Sequence, residues 1–148
     1  MRRYELPLHR GSLLDIGPEL AVNVGPSRPE LEAANRSGKT LPDPQRVNAV
    51  IDTGARRTVI TPQAAQRCGL LAVSRTKVFV VGGGEVTGDV FSARIVFPSP
   101  LGTWPAIDIV AANLFASRIE CLIGRDVLRR WIVTYDGPSG LLAIEEHE

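Results

Sequence analysis

Cysteine and histidine are almost absent from this sequence of 148 residues, with two of each, and their scarcity removes several chemistries at once. Cys68 and Cys121 stand far apart in apolar surroundings. A disulfide framework needs more cysteines and a zinc site needs closer spacing, so both read as buried thiols in a reducing compartment. His9 and His147 lie near opposite termini without a partner motif, which leaves a metal site or a Ser-His-Asp triad nothing to work with. No cofactor and no metal are expected. Long apolar runs are missing too; none approaches the roughly 20 residues that span a bilayer, so no membrane span is expected. Basic surplus is missing as well. Lysine plus arginine is 17 against 16 acidic residues, whereas proteins that grip phosphate backbones carry an excess of positive charge. Nucleic acid is therefore not an expected partner. Met1-Arg2-Arg3-Tyr4-Glu5 has the charge of a signal peptide but no apolar stretch behind it, so the expectation is an unexported, cytoplasmic chain. The length fits a single domain, residues 1–148, and is small for an enzyme that encloses its active site.

Glycine (14) and proline (11) are plentiful and cut the chain into short pieces. The apolar, β-branched runs between them predict strands at Leu20–Val24, Val47–Asp52, Lys77–Val81, Val90–Phe97, Ala106–Val110, Trp131–Tyr135 and Leu141–Glu145. The last two flank Asp136-Gly137-Pro138-Ser139-Gly140 and form a hairpin. Thr61 as N-cap, Pro62 behind it and Gly69 as stop predict one short helix; Arg125–Arg130 predicts a second. Trp104 and Trp131 read as packing rather than ligand platforms. Residues 1–17 read as an N-terminal extension. Residues 25–46, rich in proline and charge, read as a long surface loop that admits a helical turn at Pro29–Ala34. Within that loop Ser37-Gly38-Lys39-Thr40 imitates the end of a phosphate-binding loop, but the required earlier glycine is Ala33 and no strand leads in. Gly82-Gly83-Gly84 fails the dinucleotide fingerprint because position 87 is threonine.

The informative stretch is Asn48-Ala49-Val50-Ile51-Asp52-Thr53-Gly54-Ala55, a carboxylate, a hydroxyl and a glycine closing a short apolar strand. By composition alone Asp-Thr-Gly occurs by chance in on the order of one protein this size in thirty. A second element raises its weight: Glu120-Cys121-Leu122-Ile123-Gly124-Arg125, where a buried strand ends in glycine before a short helix. Together they resemble the retroviral-type (retropepsin-like) aspartic proteases, as a non-viral member. The family's catalytic loop, apolar-Asp-Thr/Ser-Gly-Ala, matches Ile51–Ala55. Its apolar-apolar-Gly-Arg segment matches Leu122–Arg125. Its glycine-tipped hairpin, the flap, matches residues 77–91. The order of elements covers about residues 18 to 146.

The resemblance implies a mostly β chain with short helices: a closed, barrel-like acid-protease fold with a flap hairpin, acting as a homodimer on a peptide or protein substrate. Two carboxylates a few ångströms apart cannot both ionise, so they share a proton and can activate water while protonating a carbonyl. The sequence holds one Asp-Thr-Gly, so the pair requires two chains, with Asp52 from each on a two-fold axis. The implied function is an aspartic endopeptidase; the alternative is a dimeric peptide- or protein-binding module on the same fold with weak or no hydrolysis, and a chance Asp-Thr-Gly turn in an unrelated small β-barrel is a third reading. Implied catalytic residues are Asp52, Thr53 (its hydroxyl reaching the partner loop) and Gly54. Ala55, Arg56, Val81, Gly82, Gly83, Gly84 and Ile123 are the implied substrate-binding residues, with Gly124 and Arg125 as structural neighbours. Viral members commonly place acids after the alanine, one of them pairing with the arginine of the Gly-Arg segment. Here Arg56 and Arg57 stand there, which leaves Arg125 to find Asp126 or another acid and turns the groove toward acidic substrates.

Overall fold

The computed structural model describes residues 1–7, 10–80, 84–114 and 118–147, with residues 10–12 and 80 by backbone alone. Through them run β1 (Arg2–Pro7), α1 (Arg10–Asp15), β2 (Glu19–Pro26), α2 (Arg28–Arg36), β3 (Gln45–Ile51), β4 (Val59–Ile60), α3 (Pro62–Arg67), β5 (Ala72–Val80), β6 (Gly84–Val96), β7 (Thr103–Ala111), β8 (Cys121–Ile123), α4 (Arg125–Leu128), β9 (Trp131–Asp136) and β10 (Leu141–Glu146). The chain is mostly β with a few short helices.

Alternation sets the sheet's inner face. Val47, Ala49 and Ile51 of β3 point inward, as do Leu20, Val22 and Val24 of β2, because successive side chains on a strand face opposite sides. Burying each such Val, Leu or Ile stabilises the fold by roughly 1.5–3 kcal/mol relative to leaving it in water. One sheet has the order β2-β3-β8-β4-β7-β6-β5, and β6 also pairs with β2, so the sheet curls back on itself. The interior strand β8 runs parallel to β3 and antiparallel to β4. This three-residue insertion brings the chain after Ile123 against the chain after Ile51. The second sheet, β1-β10-β9, packs on the first through Trp131, whose ring meets Phe97 edge-on at 4.7 Å. Trp104 is buried under the Arg130 guanidinium, 4.8 Å from its ring centre.

The α3 helix starts at Thr61, whose side chain accepts from the Ala64 amide, and ends before Gly69 at φ +70°. A positive φ favours glycine. The hairpin turn after β9 closes through Gly140 N–H to Asp136 O at 2.9 Å.

Three segments differ from the sequence expectation. Residues 25–46 are not loop throughout: the helical turn allowed at Pro29–Ala34 is part of a nine-residue helix, α2. Ser27 caps it, Pro29 occupies its first turn, and Arg28 pairs with Glu32 one turn on. Pro26 and Pro29 stand at its start, and Ser37-Gly38-Lys39 is its C-terminal cap, with Gly38 at φ +72° and the Lys39 amide bonded back to Ala34 O. The N-terminal extension is likewise ordered into β1, which pairs along its length with β10, and α1. Tyr4 and Leu6 alternate inward from β1 while Arg3 and Glu5 face out and pair with each other, the charged pattern of an edge strand. β5 and β6 form a hairpin paired from Ala72↔Phe91 to Val80↔Gly84, longer than residues 77–91. Its expected tip residues Val81, Gly82 and Gly83 lie outside the described residues; Gly84 opens β6 and is exposed.

Candidate active site

β3 ends at Ile51 and the chain turns out of the sheet at once. The Asp52 amide donates to Ile123 O at 3.0 Å, so the end of β8 anchors the loop's first residue. One Asp52 carboxylate oxygen accepts from the Gly54 amide at 2.8 Å, and the Ala55 amide closes onto Asp52 O at 3.2 Å. These bonds hold the carboxyl at the mouth of the turn, half-exposed, with Thr53 and Gly54 exposed beside it. A methyl at Gly54 would meet the same Asp52 oxygen at 3.1 Å, so glycine here makes room for the carboxylate itself. Neither the second Asp52 oxygen nor the Thr53 hydroxyl has a hydrogen-bond partner among the described residues.

The Gly-Arg segment comes in from the other side. The Arg125 amide donates to Ala55 O and its guanidinium to Thr53 O, each at 2.8 Å. Arg125 therefore braces the Asp52 loop through backbone carbonyls. The acid offered as its partner, Asp126, is engaged elsewhere: it accepts from the Thr58 amide (2.9 Å), the Thr58 hydroxyl (2.7 Å) and the Val127 amide (2.9 Å). The buried Thr58 hydroxyl in turn accepts from Gly124 N–H at 3.1 Å. Sequence reasoning missed Thr58 and offered Asp126 only as a partner for Arg125. They lie 68 residues apart, and only the insertion of β8 between β3 and β4 brings them together.

Removing this acid strands its donors. Asp126→Ala is expected to cost about 2–3 kcal/mol, because the buried Thr58 amide loses its acceptor, while Asp126→Asn, which keeps an acceptor oxygen, should cost about 1 kcal/mol less. Urea unfolding checks this; equal midpoints for Asp126→Ala and the parent would refute the linchpin role.

A cleft of about 1060 Å³ opens in front of Asp52, lined by Gly54, Ala55, Arg56 and Arg57 from the loop, Val78 and Phe79 from β5, and Leu122 from β8. A second hollow of about 720 Å³, beside β1 and β2, holds none of the candidate residues. The structure thus gathers Asp52, Gly54, Ala55, Arg56 and Arg125 at one cleft. It does not bring Ile123 there. The Ile123 side chain is fully buried in the core and its neighbour Leu122 lines the cleft instead, since a strand alternates its faces and inward at Cys121 means inward again at Ile123. Cys68 and Cys121 are free and buried; burial pushes both thiols above their ordinary range. Among the described residues, no group of three or more His, Cys, Asp or Glu is placed to hold a metal, and no helix is long and apolar enough to cross a membrane.

The sequence profile of the family described as aspartyl protease matches residues 39–127, which includes the Asp52 loop and the Gly124-Arg125 segment. The DNA damage-inducible protein 1 of Chaetomium globosum is 28% identical over 104 residues, 68% of this chain and 22% of that protein. Its counterpart in Cryptococcus neoformans is 27% identical over 106 residues, 69% of this chain and 23% of that protein. The chain thus corresponds to less than a quarter of these curated relatives' length. Among solved structures, a retropepsin-like aspartic protease from Rickettsia conorii matches with a TM-score of 0.59 at 16% identity, over 96% of this chain and 89% of that one, a likeness of fold.

Proposed function

Because the chain belongs to the aspartyl protease family and folds like a retropepsin, we propose that it is an aspartic endopeptidase whose working unit is a homodimer. The observation that carries this reading is the Asp52 loop itself: a carboxylate held by the Gly54 amide through one oxygen, on a residue that lines an open cleft. The chain holds a single Asp-Thr-Gly. A second copy related by a two-fold axis supplies the second carboxylate, and the Thr53 hydroxyl, exposed and without a partner among the described residues, bonds to the facing loop.

In that dimer the two carboxylates share one proton. The ionised one takes a proton from a water lying between them as its oxygen attacks the peptide carbonyl carbon. The other gives its proton to the carbonyl oxygen, forming a tetrahedral diol. Collapse returns a proton to the departing nitrogen, breaks the C–N bond and leaves a carboxyl and an amine. The substrate lies extended, pairing its backbone with the protein, and the β5–β6 hairpin serves as the flap that covers it and excludes water. The Arg125 and Asp126–Thr58 contacts keep the loop from shifting under these changes of charge.

The test is cleavage of a peptide library across a dilution series. Activity per chain is expected to fall as concentration drops through the dimer dissociation constant, in step with the loss of dimer in sedimentation velocity. Constant activity per chain in samples shown to be monomeric would overturn the two-chain site.

A further inference from the structure

The cleft carries positive charge that the described residues leave unanswered. Its charged lining side chains are Asp52, Arg56, Arg57, Lys77, Arg125 and Asp126. Three are already engaged. Lys77 pairs with Glu85 at 3.1 Å, Arg125 donates to Thr53 O, and both Asp126 oxygens are taken by Thr58 and Val127. Asp52 is reserved for the proposed chemistry. Arg56, exposed, and Arg57, half-buried, have no carboxylate within ion-pair distance among the described residues, Asp52 included. Two guanidinium groups on a concave wall with apolar neighbours Val59, Val78 and Val110 attract anions, and a guanidinium fork matches a carboxylate in two parallel hydrogen bonds.

We propose, resting on the reading above, that Arg56 and Arg57 are specificity-determining residues that select peptides bearing aspartate or glutamate side chains near the bond to be cut. The reach is bounded. Arg56 is four residues from Asp52, a chain span of at most ~14 Å, and with its own side chain it meets an extended substrate no further than about six residues from the scissile bond. The selected peptide therefore combines apolar side chains, for the valine-lined wall, with an acid inside that window.

The experiment compares matched peptides with Asp or Glu against Asn or Gln at each position in the window. For the wild-type dimer, kcat/KM is expected to favour the acidic peptide about tenfold at low salt, shrinking toward one as salt approaches ~1 M. In the double variant Arg56→Gln/Arg57→Gln the ratio should fall to about one, whatever the absolute rates. A wild-type ratio near one at every position, or a ratio unchanged in the double variant, overturns the proposal. So does loss of the dimer in the double variant by sedimentation velocity, which would assign the arginines to a contact between subunits. Equilibrium binding of the same peptides to Asp52→Asn protein separates this inference from the function it rests on. Acidic peptides bound about tenfold tighter, with no cleavage by the wild type, would uphold the selectivity and sink the peptidase. Equal binding would overturn the selectivity even if the wild type cleaves.

Discussion

Asp52→Asn is expected to lower peptide cleavage by about 10³–10⁴-fold while leaving the fold and the dimer in place. The expectation rests on what the substitution keeps. The Asp52 oxygen that accepts from Gly54 N–H at 2.8 Å has a counterpart in the asparagine amide oxygen, and the residue 52 amide still donates to Ile123 O. The side chain is half-exposed, so no buried charge is left unpaired. What disappears is the capacity to take a proton from water and to hold one for the carbonyl oxygen. General acid–base groups typically contribute 10²–10⁴ in rate, and because each dimer loses both carboxylates at once, the upper part of that range applies. The measurement is single-turnover cleavage of a library-derived peptide with matched circular dichroism and sedimentation velocity. A folded, dimeric variant that retains more than a tenth of the activity would remove Asp52 from the chemistry. An inactive wild type would instead favour a binding module on the same fold.

How far the sequence alone reached depends on where each signal resides. β3 was legible because one of its faces is buried, and Val47, Ala49 and Ile51 then fall at every second position. α3 was legible because both of its ends are chemical: a threonine hydroxyl bonded to Ala64 N–H and a glycine at φ +70°. α2 was not. Four prolines between positions 26 and 44 outweighed Leu31, Ala33 and Ala34, and α2 has no buried residue, so no apolar stripe announces it. β1 was lost for a related reason, since an edge strand with three charged residues in six reads as solvated chain. Ile123 rather than Leu122 was assigned to the groove because β8 is three apolar residues long and interior to its sheet; alternation cannot be read when every position is apolar. The candidate site divides the same way. The Asp52 loop and Gly124-Arg125 are local motifs and were visible. The Thr58–Asp126 bonds, and Arg125's use of a carbonyl in place of an acid, depend on the meeting of distant segments and carry no local mark.

That meeting makes Gly124 the position where the smallest change should do the most damage to stability. Its backbone, at φ −89° and ψ −178°, is extended and open to any residue, so torsion does not demand glycine; space does. A Cβ there would lie 2.5 Å from the Arg57 carbonyl carbon, 2.6 Å from its oxygen and 2.9 Å from the Thr58 nitrogen. All three are backbone atoms of the segment joining the Asp52 loop to β4, and no rotamer change relieves them. Gly124→Ala must therefore push the start of α4 away from that segment. The shift would strain the Arg125 amide bond to Ala55 O, the Gly124 amide bond to Thr58 and the guanidinium bond to Thr53 O together. Overpacking costs typically 1–3 kcal/mol, and with bonds on both sides of the contact disturbed the expected loss is about 3 kcal/mol. Gly137→Ala serves as the comparison, since a methyl there meets only the Tyr135 ring edge at 3.7 Å and should change stability by no more than about 0.5 kcal/mol. Denaturant midpoints of the two variants decide the matter. If Gly124→Ala unfolds with Gly137→Ala, the close crossing of the two segments does not hold the site together. If it unfolds well below, the glycine of the Gly-Arg segment is there so that one backbone can lie against another beneath the candidate carboxylate.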